Sequence, residues 1–426
     1  MAARDLDVVV LGATGVTGRQ VARYLAEREG ESGLRWAAAA RDPGRLERAL
    51  AQLGTRAPEL LAADIERPAT LAALARRARV VLDLVGPYAR FGRPVIEACV
   101  QEGAHYVDLT GELQFVRASI DRHEQDALAA GVKIVQVCGF EALPADLLTA
   151  LLAARVRERW GEGLAAVDVQ VSMSAPRGRP RASEMISGGT FQSLAEVAGS
   201  EHARQVTDPA ILIGEPALAE RVRRTSPIGL APRRGADGAV IAPMAPAPFI
   251  NPAVIHRSEE LIAASEGRPP EPFRYREGIA LGGGALSAPL RWTLAGALSA
   301  TQLSLSAIVR TPPAVRGRLA AAMSRFGPQS GFGPAGERLE QWHWQMRASA
   351  RTPAGRQLEA LLDADGHPGY LATARLLGEA GMLLAEEGAT PARAGCLTPA
   401  SALGIACLPR FEHARLRFTL SDERAR

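Results

Sequence analysis

In the first third of the chain, apolar residues come in short unbroken runs, and each run is followed by a stretch in which they recur every three or four positions. The runs are DVVVLG, LRWAAAA, APELLAAD, RVVLDLVG, AHYVDLTG and VKIVQVCG. Helical spacing begins at Val16, with Val21, Ala22 and Leu25 on one stripe, and returns in PGRLERALAQLG, PATLAALARRA, RPVIEACVQEG and SIDRHEQDALAAG. A strand that is apolar on both faces must be covered on both, as in parallel sheets flanked by helices. Strands of this kind alternating with helices over residues 6–136 predict a doubly wound α/β domain. Pro43 sits where a first helical turn tolerates the missing N–H.

From about residue 156 the rhythm changes. GLAAVDVQVSMSA and QWHWQMRASA alternate with period two, the pattern of half-buried strands in a mostly antiparallel sheet, so a second, α+β domain is expected. Residues 206–275, rich in Pro, Ala and Arg, read as long connections, and 369–388 as an amphipathic helix closed by a glycine. The stretch WTLAGALSATQLSLSAIV approaches the length of a membrane span but carries Thr, Ser and Gln throughout. A buried strand or helix of the second domain is the plainer expectation. The basic amphipathic AVRGRLAAAMSRF at 314–326 keeps peripheral contact with a lipid surface open.

The first strand ends in Gly12-Ala13-Thr14-Gly15-Val16-Thr17-Gly18, directly before the first helix. In such a turn the first glycine makes the bend, the second lets the chain approach a pyrophosphate, and the third lets helix pack on strand. The unpaired N–H groups of the helix start then face the phosphates, favoured by the helix dipole. No Lys-Ser/Thr pair follows, so this is not a P-loop. A dinucleotide site is expected, with Gly12 through Gly18 as its floor. An NAD site places a carboxylate at the tip of strand two to hold the ribose 2′-hydroxyl. Here Arg41 holds that tip, with Arg45 in the next turn, and a guanidinium suits a 2′-phosphate. NADP(H) is therefore expected, against the alternative that Arg41 is a solvated charge and Asp42 reads the ribose. Asp64, after strand three, is expected near the adenine, and the Gly86-Pro87 turn after strand four beside the nicotinamide. Tyr88 is the nearest hydroxyl able to donate a proton; the bland reading is that it packs in the turn.

Charge and composition narrow the classes further. A net charge of +4, from 50 basic and 46 acidic side chains with no basic block, gives no sign of a nucleic-acid partner. Cys99, Cys138, Cys396 and Cys407 form no C-x-x-C pair, and the N-terminus lacks a signal peptide's apolar core. Both favour a reducing, cytoplasmic setting. No histidine or cysteine spacing suits a metal, so no metal site is expected.

Several stretches together resemble the saccharopine-dehydrogenase-like oxidoreductases, in the branch that includes trans-acting enoyl reductases of lipid and polyketide assembly. They are VVVLGATGVTGRQVARYLA, DLVGPYARFGRPVIEACVQEGAHYVDLTGELQFV at 83–116, VCGFEALPADLLTALL at 137–152, SGGTFQSLAEV at 187–197, PFINPAVIHRSEEL at 248–261, and 369–404. The resemblance implies a Rossmann-type NADP-binding domain over 1–155 and a substrate and dimerisation domain over 156–361. It also implies a C-terminal segment, 362–426, packing back on the first domain. Two departures stand at the substrate end: His367 where the family has an acidic residue before Pro-Gly-Tyr, and Ala394-Gly395-Cys396-Leu397-Thr398-Pro399 where it has Gly-Gly-Val-Leu-Thr-Pro.

What the resemblance implies is an NADPH-dependent reductase of an enoyl thioester or related lipid-like intermediate, small or carrier-bound. Thr190 and the pair Arg257 and Ser258 are candidate substrate contacts, the bland alternative being a loop hydrogen bond and an ion pair. Two other readings stay open: C=N reduction in amino-acid metabolism, as in true saccharopine reductases, and a non-catalytic NADP-binding protein on a lipid surface. The first would need converging cations for several carboxylates, and no such cluster is evident.

Overall fold

The computed structural model describes residues 4–176, 195, 197, 199–200, 203–235, 237–282, 287–326 and 337–421. The first half runs β1 (Leu6–Leu11), α1 (Val16–Ser32), β2 (Trp36–Ala40), α2 (Pro43–Ala51), β3 (Leu60–Ala62), α3 (Pro68–Arg77), β4 (Ala78–Asp83), α4 (Tyr88–Glu102), β5 (His105–Asp108), α5 (Leu113–Ala130), β6 (Lys133–Val135) and α6 (Leu143–Trp160). Then come β7 (Ala166–Ser174), α7 (Pro216–Thr225), β8 (Arg233–Arg234), β9 (Val240–Ala242), α8 (Ala247–Ser265), β10 (Arg274–Leu281), α9 (Ala288–Ile308) and α10 (Pro313–Phe326). The chain closes with β11 (His343–Arg351), β12 (Gln357–Asp365), α11 (Thr373–Ala385), β13 (Gly395–Leu397), α12 (Pro399–Leu403) and β14 (Leu416–Ser421).

Seven parallel strands form the first sheet in the order β13-β6-β5-β4-β1-β2-β3. Successive residues of β1 serve opposite faces, Val8 and Val10 joining one core and Val9 and Leu11 the other. This is the doubly wound arrangement that two-sided apolar strands require. The second sheet, β14-β12-β11-β7-β10-β9-β8, is antiparallel except where β7 meets β10. There Trp344, Met346, Ala348 and Ala350 of β11 stand opposite Ala364, Leu362, Ala360 and Leu358 of β12, and all eight point into the core. Helix α6 covers them, and Phe140, just before it, meets Trp344 edge to face at 4.9 Å.

One hydrophobic core therefore runs from Val8 through α6 to Trp344, serving both sheets. The cuts expected at 155/156 and 361/362 fall inside α6 and β12, because the chain crosses between sheets along elements rather than along linkers. The tail serves both sheets as well: β13 extends the parallel sheet beside β6, and β14 pairs with β12.

Two elements differ from their sequence reading. Residues 373–384 of α11 are all buried, so this helix is not amphipathic. It lies on β1, β4 and α1, close enough that a side chain at Gly378 would meet the Tyr24 ring at 2.5 Å and one at Gly381 would meet Leu82 at 2.8 Å. Its polar residues are paired inside: Glu379 accepts from Tyr24 Oη at 2.6 Å and Arg28 Nε at 2.9 Å, and Arg375 binds Glu340 at 2.8 Å. The helix ends at Ala385, three residues before Gly388. The other difference is WTLAGALSATQLSLSAIV, which lies in α9 with most of its side chains exposed rather than buried.

Removing one partner of a buried ion pair strands the other charge, at a cost of roughly 3–5 kcal/mol, whereas exposed pairs are worth about 1 kcal/mol or less. Glu379→Ala is expected to lower stability by an amount in the first range and Glu27→Ala, whose pair with Arg23 is exposed, by one in the second. Urea unfolding of both variants checks this; equal small shifts would mean that α11 is not held by its internal charges.

Candidate functional site

Helix α1 starts against the end of β1 without a side-chain cap. Gly12 has φ of +85°, and a side chain there would lie 2.8 Å from Val85 and 3.0 Å from the Leu84 carbonyl. A Cβ at Gly18 would lie 2.4 Å from the Gly12 carbonyl oxygen. The turn thus demands glycine at both positions, and the first-turn amides of α1, at the carboxyl edge of the sheet, have no side-chain cap among the described residues. The contrast is α4, which starts beside it. Its first amides are already taken: Glu112 Oε1 accepts from Tyr88 N at 3.0 Å and Oε2 from Ala89 N at 2.9 Å. One helix start is closed by a carboxylate and its neighbour is left open for an anion.

Arg41 follows the last residue of β2, is exposed, and makes no hydrogen bond or ion pair among the described residues. Asp42 is committed to helix capping, Oδ1 accepting from Arg45 N at 3.0 Å. That leaves the guanidinium at the tip where a ribose would lie. Asp64 lies past β3, where its Oδ1 accepts from Glu66 N and its amide binds Thr70 Oγ1. The open helix start, the glycine floor and the free guanidinium fit a dinucleotide carrying a 2′-phosphate.

The ends of β4, β5 and β6 are knitted by a buried polar ladder. Tyr106 Oη lies 3.2 Å from Asp83 Oδ2 and donates to Asp108 Oδ2 at 3.0 Å. Asp108 also accepts from Thr110 N, Val137 N and Gln136 Nε2, so one side chain fixes the loops after β5 and β6. Burial pushes the Asp83 carboxyl well up. Asp108, just as buried but accepting backbone N–H groups, is raised only to about 6.

Residues 8–135 match the family model of the saccharopine dehydrogenase NADP binding domain. Over 430 residues the chain is 35% identical to the trans-acting enoyl reductase of Mycobacterium leprae, with 96% of each chain covered. It is 34% identical over 432 residues to that of Mycobacterium tuberculosis, with 97% of each covered. The chain belongs to this family, the saccharopine-dehydrogenase-like trans-acting enoyl reductases. It is an NADP-dependent oxidoreductase. The apo saccharopine dehydrogenase (L-Glu forming) of Saccharomyces cerevisiae shares its fold, with a TM-score of 0.50 at 14% identity over 98% of this chain and 100% of that one.

In this oxidoreductase the expected site residues fall into two groups. Gly12 to Gly18, Arg41 and the Gly86-Pro87 turn line one edge of the parallel sheet, and Val16 packs against Leu339, Tyr370 and Leu371, which brings the C-terminal segment to the same edge. Tyr88, Arg257 and Ser258 do not join them. Tyr88 is 5% exposed and donates to the Asp83 carbonyl at 3.0 Å, so its hydroxyl is turned into the core and it packs in the turn. Arg257 lies buried midway along α8, 2.7 Å from Glu260 on the same helix and 3.9 Å from Glu124 of α5, and Ser258 bonds Thr398 Oγ1 at 2.6 Å, so both join α8 to its neighbours. Thr190 lies outside the described residues. Cys138 is a buried thiol, pushed up by desolvation, and His343 pairs with Asp365 on the outer face of β11.

Sequence reading passed over two features. Glu141, beyond β6, holds an oxygen 3.0 Å from where a Gly139 side chain would start, a point that also lies 3.5 Å from Leu109 and 3.6 Å from Thr373. Burial raises its pKa, and no other side chain hydrogen-bonds it among the described residues. The second is a pocket of about 380 Å³ at the starts of α4 and α5. Ala89, Phe115, Ala195, Val197, Ala320 and Ala321 line it with Glu112, Gln114 and Ser200, and no Lys or Arg is among them.

Two measurements check this geometry. Arg41→Ala should weaken NADPH binding by roughly ten- to a hundredfold and leave NADH binding almost unchanged, as loss of one charge-assisted contact requires. Calorimetric titration with both coenzymes reads this, and equal losses would remove Arg41 from the site. The Asp108 carboxyl binds its proton more tightly folded than unfolded, so its contribution to stability is complete below about pH 4 and is lost as pH rises through about 6. Urea midpoints of wild type and Asp108→Asn should differ in slope across that window, the variant losing less stability as pH rises; parallel curves would contradict it.

Proposed function

We propose that this oxidoreductase reduces the C=C bond of an enoyl thioester, free or carried on an acyl carrier, in the making of a lipid or polyketide. The observation that carries the reading is the pocket beside α4 and α5, whose described lining is mainly small and apolar and includes no Lys or Arg. A saccharopine-like substrate needs several cations to hold its carboxylates; an acyl chain needs apolar walls. Glu112, the one carboxylate in the lining, is spent on the amides of α4. The names of the similar mycobacterial reductases support the same chemistry.

The coenzyme, held at the α1 start and by Arg41, supplies hydride when bound. The alkene conjugated to the thioester takes the hydride at its β-carbon and a proton at its α-carbon. Glu141 is the group this chain offers for that proton: a carboxyl whose pKa is raised by burial, at the carboxyl edge between β5 and β6. The ladder Asp83–Tyr106–Asp108 keeps the loops around it in place, so that the protein's work is positioning and exclusion of water.

Following NADPH absorbance with a medium-chain enoyl thioester, and separately with glutamate plus aminoadipate semialdehyde, distinguishes the two reductions. Oxidation is expected with the thioester alone, and turnover confined to the second mixture would overturn the reading. Glu141→Gln is expected to lower kcat about a hundredfold with NADPH binding intact. The wild-type rate should fall as pH rises through the raised carboxyl pKa, and the variant's residual rate should lose that fall. A fully active variant would take the proton role from Glu141.

A further inference from the structure

Helix α9 is built inside out. Its buried positions are Ala295, Ser299, Gln302 and Ser306, a small and polar stripe at helical spacing. Its exposed positions include Leu290, Trp292, Leu294, Leu298, Leu303 and Leu305, and α10 adds Val315 and Leu319. These eight are 36–56% exposed, and only one other large apolar side chain among the described residues, Leu128, is as open. The inner stripe is anchored: Gln302 Nε2 donates to the Pro243 carbonyl at 2.6 Å, and Ala295 packs on Val240 and Ala242 of β9. Buried Arg316 ties the α9–α10 turn by donating to the carbonyls of Val309, Thr311 and Ser200. The large apolar side chains are thus left outward by packing and a hydrogen bond on the helix's inner stripe, and their concentration on this one pair of helices marks an interaction surface.

Charge says what covers it. Residues 288–326 carry Arg291, Arg310, Arg316, Arg318 and Arg325 and not one Asp or Glu. With those five set aside, the 46 acidic side chains outnumber the basic ones, so the chain's net charge of +4 originates in this segment. A second copy seated with α9 and α10 against their own counterparts would bring arginines against arginines, and neither helix offers a carboxylate to meet them. Among the described residues no helix is long and apolar enough to cross a membrane. We propose that α9 and α10 lie flat on an anionic lipid bilayer, leucines and Trp292 at the acyl boundary and Arg310 and Arg318 among the phosphates. A different face of α10, with Gly317, Ala320 and Ala321, walls the pocket beside α4 and α5. The surface itself does not depend on which acyl group is reduced.

Flotation of the full chain with vesicles of phosphatidylcholine alone, and of phosphatidylcholine with phosphatidylglycerol in equal parts, tests this. The wild type is expected to float with the anionic vesicles, less so at high salt, and to stay unbound with the neutral ones. L294S/L298S/L303S should weaken anionic-vesicle binding at least about a hundredfold and R310Q/R318Q roughly tenfold or more. NADPH binding and thermal melting of both variants report that they are folded, and the arginine variant decides if the leucine variant is not. Wild type that never floats, or that floats equally on both vesicles, overturns the proposal. So does a wild-type dimer in light scattering that the leucine variant turns to monomer, which would assign the face to a second copy.

Discussion

The carbonyl oxygen of Gly12 lies 2.4 Å from where a side chain on Gly18 would begin, and that crowding governs the nucleotide end of the molecule. It draws the start of α1 onto the tip of β1 and leaves no room for anything but glycine. With no capping side chain present, the helix start keeps its amides for a ligand. The neighbouring α4 shows the alternative, since Glu112 fills the same kind of helix start from 24 residues away. Of two adjacent helix starts one is closed and one has no side-chain cap, an arrangement that suits a diphosphate at α1, with the guanidinium after β2 placed where a ribose would follow.

Behind this edge the molecule is woven rather than assembled from separable parts. Strand β13 completes the parallel sheet, β14 completes the other, and α11 fills the space between α1 and the sheet. The buried Tyr24, Arg28 and Glu379 cluster joins residues more than 350 positions apart, and Phe140 on Trp344 joins the two sheets across α6. Such long-range joints hold the loops at the carboxyl edge in fixed relation, which suits a reaction in which the protein mainly positions two reactants and keeps water out.

What was legible in the sequence was what local chemistry dictates. Two-sided apolar strands, the glycine turn and an arginine at the tip of β2 are each set by neighbours a few residues away. What depends on distant partners was not. Tyr106 and Asp108 share a face of β5, and Asp108 pairs in register with Asp83, yet nothing local says that Tyr88 donates to a carbonyl beneath them. Arg257 and Ser258 looked like surface polar residues because the segments that cover them, around Glu124 and Thr398, lie over a hundred residues away. Helix α11 carries charges that in isolation read as a wet face. In α9 the small polar stripe is visible at its four-three-four spacing, but only the packing against β9 says that this stripe is the inner one.

The reaction depends first on the coenzyme end of the molecule. A crystal structure with bound NADPH tests it most directly: the diphosphate should lie within hydrogen-bonding distance of the first-turn amides of α1, with the 2′-phosphate on Arg41. Coenzyme density at another edge of the sheet, or a turn at Gly12–Gly18 closed against the diphosphate by protein atoms, would contradict it.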